Sequence, residues 1–177
     1  LKSGAELVTD LVVLAIGVRP DTVLAGPAGL ELNERGAFRV NSQLQTNDPS
    51  IYAIGDAVEV EDFVFGGKTQ IPLAGPANRQ GRLVADHIAA SCAAASWTTE
   101  QVRYRGSQGT SIVRVFDTTV AMTGHSEKSL QRLGQRLHQD YEVVYIHPMH
   151  HADYYPGATR MTLKLIFARP TGKILGA

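Results

Sequence analysis

One short apolar run, "LVVLAIGV" at residues 11–18, limits the folds open to this chain more than any other segment. Its Val, Leu and Ile residues follow one another without polar alternation, the pattern of a strand covered on both faces in a parallel or mixed sheet. Such a strand needs strands beside it and helices above and below, so the reading begins from a layered α/β arrangement. The run is the longest apolar segment in the chain, and it falls far short of the roughly 18 residues that cross a bilayer.

Pro20, Asp21 and Thr22 then supply turn chemistry. A loop-rich stretch follows, with a short strand expected around Phe38 and Val40 and another at residues 51–54. Alternation on either side of Gly66 and Gly67 predicts a hairpin. The segment 74–95 reads as a helix, with Val84, Ile88 and Cys92 recurring every four positions on one face. The last third differs in pattern. Two β-rich runs parted by Asp117 and Thr118 predict a second hairpin, Ser126 is a good N-cap for a helix through about His138, and Leu130, Leu133 and Leu137 fall at helical spacing. Strands are expected at 142–147, 161–167 and 173–177. The fold class is therefore α/β followed by α+β, the second part having its helix over one face of an antiparallel sheet. The boundary is expected near "SWTTEQVRYRG", residues 96–106.

Charge excludes some partners. With 17 basic and 17 acidic side chains, nothing asks for nucleic acid or an anionic membrane surface. A lone cysteine, Cys92, rules out an internal disulfide and favours a reducing compartment such as the cytoplasm. The opening "LKSGAELVTD" lacks both an initiator Met and the pattern of a signal peptide, and reads as an internal cut.

The chemistry centres on "TNDPSIYAIGDA", residues 46–57, where an apolar strand runs straight into Gly55 and Asp56. A carboxylate at the end of a buried strand is costly unless something accepts its charge or donates hydrogen bonds to it. Gly55 has no Cβ and permits close approach, and Asp56 offers two acceptor oxygens suited to sugar or ribityl hydroxyls. The alternative is that Asp56 caps a following turn.

Three segments in order, "TDLVVLAIGVRPDT", "TNDPSIYAIGDA" and "IPLAGPANRQGRLVADHI", resemble the two-dinucleotide flavoproteins, the pyridine nucleotide-disulfide oxidoreductase family. By that resemblance the first closes a nicotinamide-binding domain (1–18), with Ile16 and Gly17 as cofactor contacts. The second is a flavin fingerprint within an FAD segment (19–100), in which Asp56, beside Gly55, holds the ribityl chain of FAD. The helix of the third presents its amino end, with the backbone of Leu73 and Ala74, to the flavin ring, where its dipole favours negative charge. Residues 101–177 resemble the dimerisation domain of coenzyme A-disulfide reductases and the related NADH oxidases. "HPMHHADYYPG" has no glutamate for the His-Glu pair of the glutathione-type enzymes, and its tyrosine-rich loop points instead to Tyr154 or Tyr155 as a phenol reaching the partner subunit's flavin and cysteine site.

The resemblance implies FAD and NAD(P)H as cofactors, a homodimer, and hydride transfer to flavin and then through a cysteine outside the chain to coenzyme A disulfide. The alternatives are an NADH oxidase delivering electrons to oxygen, or a catalytically inactive dimerising fragment. No GxGxxG occurs, so the chain is expected to correspond to roughly the last two-fifths of a parent subunit. Other features are read as structural. His147, His150, His151 and Asp153 are not expected to bind metal, since neighbouring side chains diverge in extended chain. "GGKT" fails as a phosphate loop because Asp62 stands where a glycine is needed. Cys92 is expected to be a buried structural thiol, and Arg79 and Arg82 solvated helix charges.

Overall fold

The computed structural model describes residues 3–92, 98 and 102–177. Residues 5–20 carry no regular secondary structure, which corrects the expectation of a buried strand at 11–18. Val12, Leu14 and Ile16 are 70%, 78% and 89% exposed. A strand covered on both faces exists only where neighbours satisfy its backbone and cover its side chains, and no described residue pairs with this run.

From Leu30 onward the chain folds back on itself through isolated bridges: Leu32 with Phe38, Phe38 with Val58, and Gln45 with Tyr52. The strands expected at 38–40 and 51–54 are reduced to these single contacts. Two asparagines explain why. Asn33 Oδ1 accepts the Arg35 and Ala37 N–H groups, and Asn41 Oδ1 accepts those of Gln43 and Gln45, so side chains take the donors a ladder would use. The expected hairpin across Gly66 and Gly67 forms, β1 (Val60–Glu61) pairing antiparallel with β2 (Lys68–Thr69). Both glycines take positive φ there, 90° and 83°.

Helix α1 (Ala74–Ser91) covers this part. Leu44, Val58, Val60 and Tyr104 form the core, with Phe38, Val40, Ala53, Leu83 and Val84 packed against it. Only the first half of the expected face is covered, Val84 packing on the core. Ile88 is 44% exposed and Cys92 is exposed, while Gln80 and His87 are buried. The two polar residues are tolerated inside because each is bonded: His87 Nδ1 lies 2.9 Å from the Tyr52 hydroxyl, and Gln80 Oε1 accepts the Gly55 N–H. Residues 93–95 of the expected helix lie outside the described residues.

The last third keeps the predicted order. β3 (Ser111–Val115) and β4 (Thr118–Met122) form an antiparallel hairpin from Ser111 opposite Met122 to Val115 opposite Thr118. Ser126 caps helix α2 (Glu127–Arg132), its Oγ accepting the Ser129 N–H at 3.2 Å. The helix stops six residues short of the expected His138. Gly134 takes φ +78°, its N–H goes to the Gln131 carbonyl and that of Gln135 to the Leu130 carbonyl, which is a Schellman closure. Leu133 and Leu137, read as a helical stripe, are accordingly 48% and 36% exposed. β5 (Tyr141–Ile146), β6 (Leu163–Ala168) and β7 (Ile174–Gly176) make an antiparallel sheet. Leu130 of α2 packs on it with Tyr141, Ile166 and Leu175.

The β1–β2 hairpin ties the two parts together. Its Val64 packs against the second core, Asp62 forms a parallel bridge with Ser107, and Asp62 Oδ2 lies 2.7 Å from His125 Nε2. Tyr104 enters the first core, while residues 96, 97 and 99–101 of the expected boundary lie outside the described residues.

Candidate functional site

Gly55, Asp56 and Ala57 form a single 3-10 turn. The segment before it is braced by Thr46, whose Oγ1 donates to the Ile51 carbonyl at 3.0 Å, and by the Ala53 N–H on the Leu44 carbonyl. The segment after it is fixed by the Phe38 N–H on the Ala57 carbonyl at 2.8 Å. Gly55 takes φ +81°, and a Cβ there would lie 3.8 Å from Ala77 Cβ of α1. A side chain at this position would therefore carry backbone strain even though space remains.

Asp56 is exposed, and its carboxylate accepts no hydrogen bond among the described residues. It neither ends a buried strand nor caps the turn it belongs to. The reading as a cap loses its geometric basis, and the carboxylate is left with its lone pairs open.

Leu73, the N-cap of α1, is extended at φ −137° and ψ 140° and supplies no side-chain cap. The Ala74 and Gly75 N–H groups have no acceptor among the described residues, and Pro76 has none to donate. An uncapped 18-residue helix carries partial positive charge at this end. The turn and the helix are one unit through the 2.6 Å bond from Gly55 N–H to Gln80 Oε1 and the approach of Ile54 to Gly81. Four expected residues, Gly55, Asp56, Leu73 and Ala74, are thus brought onto one local framework. Ile16 and Gly17 are not: they stand in the exposed run, and no hydrogen bond among the described residues joins them to it.

Gln80 was missed by pattern reading. The signal was present, since Gln80 stands one helical turn before Val84 in the same four-residue series as Ile88 and Cys92.

Tyr154 and Tyr155 sit at the tip of the connection between β5 and β6, 82% and 61% exposed, their rings 5.3 Å apart. The base of the loop is held by the bridge of Met149 with Arg160 and by the His150 N–H on the Thr159 carbonyl. No hydrogen bond, ion pair or ring contact among the described residues joins either tyrosine to the Asp56 turn. His150 and His151 do not diverge as expected, because the chain bends here: His150 Nε2 is 2.8 Å from His151 Nδ1. His150 Nδ1 also meets the Thr159 N–H at 2.9 Å, which holds the ring against the base of the loop. Among the described residues no group of three or more metal-ligating side chains assembles. Cys92, expected to be buried, is exposed at the carboxyl end of α1.

The Gly55–Asp56 turn and the uncapped amino end of α1 thus form one carboxylate-and-donor framework, followed by an α+β part. Residues 1–81 match the pyridine nucleotide-disulphide oxidoreductase family, and residues 110–177 match the dimerisation domain of the same family. The chain belongs to the pyridine nucleotide-disulphide oxidoreductase family. Among curated proteins it is 30% identical to the CoA-dependent NAD(P)H sulfur oxidoreductase of Pyrococcus furiosus, over 99% of this chain and 37% of that protein. It is also 30% identical to the coenzyme A disulfide reductase of Staphylococcus haemolyticus, over 94% of this chain and 34% of that protein. The chain thus spans little more than a third of the length of these relatives.

Among solved structures, the reduced CoADR-RHD protein of Bacillus anthracis superposes with a TM-score of 0.84 at 51% identity, covering 99% of this chain and 29% of that one. The water-forming NADH oxidase of Lactobacillus brevis, bound to NADH, gives 0.77 at 28% identity, covering 94% of this chain and 34% of that one. No helix among the described residues is long and apolar enough to cross a membrane.

Proposed function

We propose that the chain is the carboxyl-terminal part of an FAD-dependent NAD(P)H oxidoreductase subunit that reduces coenzyme A disulfide to two thiols. The observation that carries this reading is the exposed Asp56 carboxylate on a left-handed Gly55 turn fastened to a helix, neither the carboxylate nor the first helix N–H groups having a partner among the described residues. That donor set fits a flavin: acceptor oxygens for ribityl hydroxyls and backbone donors for the ring. When bound, the flavin supplies two-electron transfer between NAD(P)H and a disulfide.

The roles of this chain's residues follow from their chemistry. Asp56 holds the ribityl chain, with Gly55 allowing close approach. The Leu73 and Ala74 backbone directs the helix dipole at negative charge on the ring. Ile16 and Gly17 close the nicotinamide side in the assembled subunit, where strands outside this chain give the 11–18 run neighbours. Tyr154 or Tyr155 donates a hydrogen bond to a thiolate in the partner subunit, its exposure leaving the hydroxyl free to do so. The redox cysteine lies outside the chain.

Segments 1–18, 19–100 and 101–177 serve as the end of the nicotinamide domain, the FAD segment and the dimerisation domain of a cytoplasmic homodimer. Exposed Val144, Ile146, Leu163 and Leu165 on the β5–β6 strands are consistent with burial in such an assembly. A second reading, oxygen as electron acceptor, draws on the likeness to the water-forming NADH oxidase. The segment alone is expected to be catalytically inactive.

The test is the full-length subunit assayed for NAD(P)H consumption with coenzyme A disulfide under nitrogen and with oxygen alone. Disulfide-dependent consumption supports the first reading and rapid oxygen-dependent consumption the second. A full-length protein that is folded, colourless and inactive with both would refute the two together.

A further inference from the structure

We infer that Gln80 is the positioning residue of the flavin-holding turn, fixing the direction of Asp56 from inside helix α1; this rests on the reading of Asp56 as the ribityl ligand. Three observations point to it. Asp56 has no hydrogen bond of its own among the described residues, so its direction is set by the backbone turn that carries it. That turn has no side-chain cap of its own, because its N-cap is Ile54. The donor at its head, the Gly55 N–H, is taken by Gln80 Oε1 at 2.6 Å, a contact made across 25 positions of sequence by a side chain only 2% exposed.

The bond has a second consequence. Gln80 lies in the same helix as Leu73 and Ala74, so the amide holds acceptor oxygens and helix-end donors at a fixed separation. The packing leaves the bond as the specific tie at that joint: a Cβ built on Gly55 would lie 3.8 Å from Ala77 Cβ, and one built on Gly81 3.7 Å from Ile54 Cδ1, both ordinary van der Waals separations. A buried amide retained only for packing would be replaceable by an apolar side chain of the same length. A positioning amide is not replaceable in that way, because its loss leaves the Gly55 N–H free and the turn free to rotate.

The test is a double-mutant cycle on FAD affinity in the full-length subunit, measured by flavin fluorescence on apoprotein reloaded with FAD, with the thermal midpoint of each apoprotein alongside. Gln80→Leu is expected to weaken FAD about tenfold when Asp56 is present and less than about twofold in the Asp56→Ala background, since residues acting through one another are not additive. Gln80→Met, with the same chain length and no carbonyl oxygen, repeats the measurement if the leucine variant folds poorly. Gln80→Glu, which keeps an acceptor at the same place, is expected to hold affinity within about threefold.

Equal weakening in both backgrounds would mean a structural role and overturn the inference. Full affinity in Gln80→Leu, together with weakened Asp56→Ala, would overturn it while leaving the ribityl reading standing. Unchanged affinity in Asp56→Ala would overturn the ribityl reading and the inference with it.

Discussion

His125 Nε2 stands 2.7 Å from Asp62 Oδ2, joining the first strand pair of the chain to the loop ahead of α2 across 63 positions of sequence. The other Asp62 oxygen accepts the Val64 and Phe65 N–H groups at 2.9 and 3.0 Å, and the Phe65 ring sits edge-on to the imidazole. The partners are mostly buried, 14% and 13% exposed at the side chain, so the group shapes the turn and fastens the two cores together. Asp62→Ala should cost about 2 kcal/mol, because it frees backbone donors and strands the histidine in one step. Asp62→Asn, which keeps one acceptor oxygen, should cost less. Chemical denaturation of both variants measures the order, and equal costs would show that the backbone bonds do not matter.

Gly124 takes φ +67°, and a Cβ on it would stand against the Leu175 carbonyl oxygen and 3.0 Å from Gly176 Cα. The contact is backbone on both sides, so neither can yield without opening the bridge between Gly124 and Gly176. Gly124→Ala should destabilise the second core by about 3 kcal/mol or more. Gly157, also left-handed at φ +82° but with open space around it, should lose only about 1 kcal/mol on the same change. Thermal unfolding of the two variants separates steric from conformational cost; similar losses would contradict the packing at Gly124.

Lys164 has its ammonium pKa raised, chiefly by its hydrogen bond to Glu127 and secondarily by Tyr145. A lysine whose folded pKa lies above its unfolded value adds stability that is complete below the unfolded value of about 10.4 and fades as pH climbs through the folded one. Glu127→Gln should therefore lose about 0.5–1 kcal/mol at neutral pH, with the gap to the parent narrowing above about pH 10.4. Urea denaturation at pH 7 and pH 11 reads this, and a gap that widened at the higher pH would reverse the sign of the account.

Much of the second part was legible in local chemistry. Ser126 announced the start of α2, and the two β-rich runs parted by Asp117 and Thr118 announced the β3–β4 hairpin. Where the reading missed, a competing local interaction won. Gly134 ended α2 before Leu137 could join a helical face, and the Asn33 and Asn41 side chains took the donors that a strand ladder needed. At the site, the Gly55–Asp56 pair was visible because glycine and carboxylate have few reasons to end an apolar run. The series through Val84 put Gln80 on the inner face of α1, but its partner was not legible, since that contact lies 25 positions away. The run at 11–18 reads as a buried strand and stands exposed, because periodicity reports what a segment needs and not whether its neighbours are present.

Tyr154 and Tyr155 make no buried contact that folding would miss, being 82% and 61% exposed. Phenylalanine at either position should change stability by less than about 0.5 kcal/mol. The variant that removes the working phenol should lower disulfide-dependent turnover about a hundredfold, while the other leaves it near the parent rate. Steady-state kinetics of the two single variants and the pair assign the role. Full activity in the double variant would remove the loop from the mechanism.

The central claim is that the open carboxylate of Asp56 holds FAD. Its most direct measurement is the FAD dissociation constant of the full-length subunit with Asp56 replaced by Ala and by Asn, titrated by flavin fluorescence. Charge-assisted hydrogen bonds to ribityl hydroxyls, worth about 1.5–3 kcal/mol, predict about ten- to hundredfold weaker binding for Asp56→Ala, with Asp56→Asn between it and the parent and apoprotein stability unchanged. Unaltered affinity in both variants would contradict the claim.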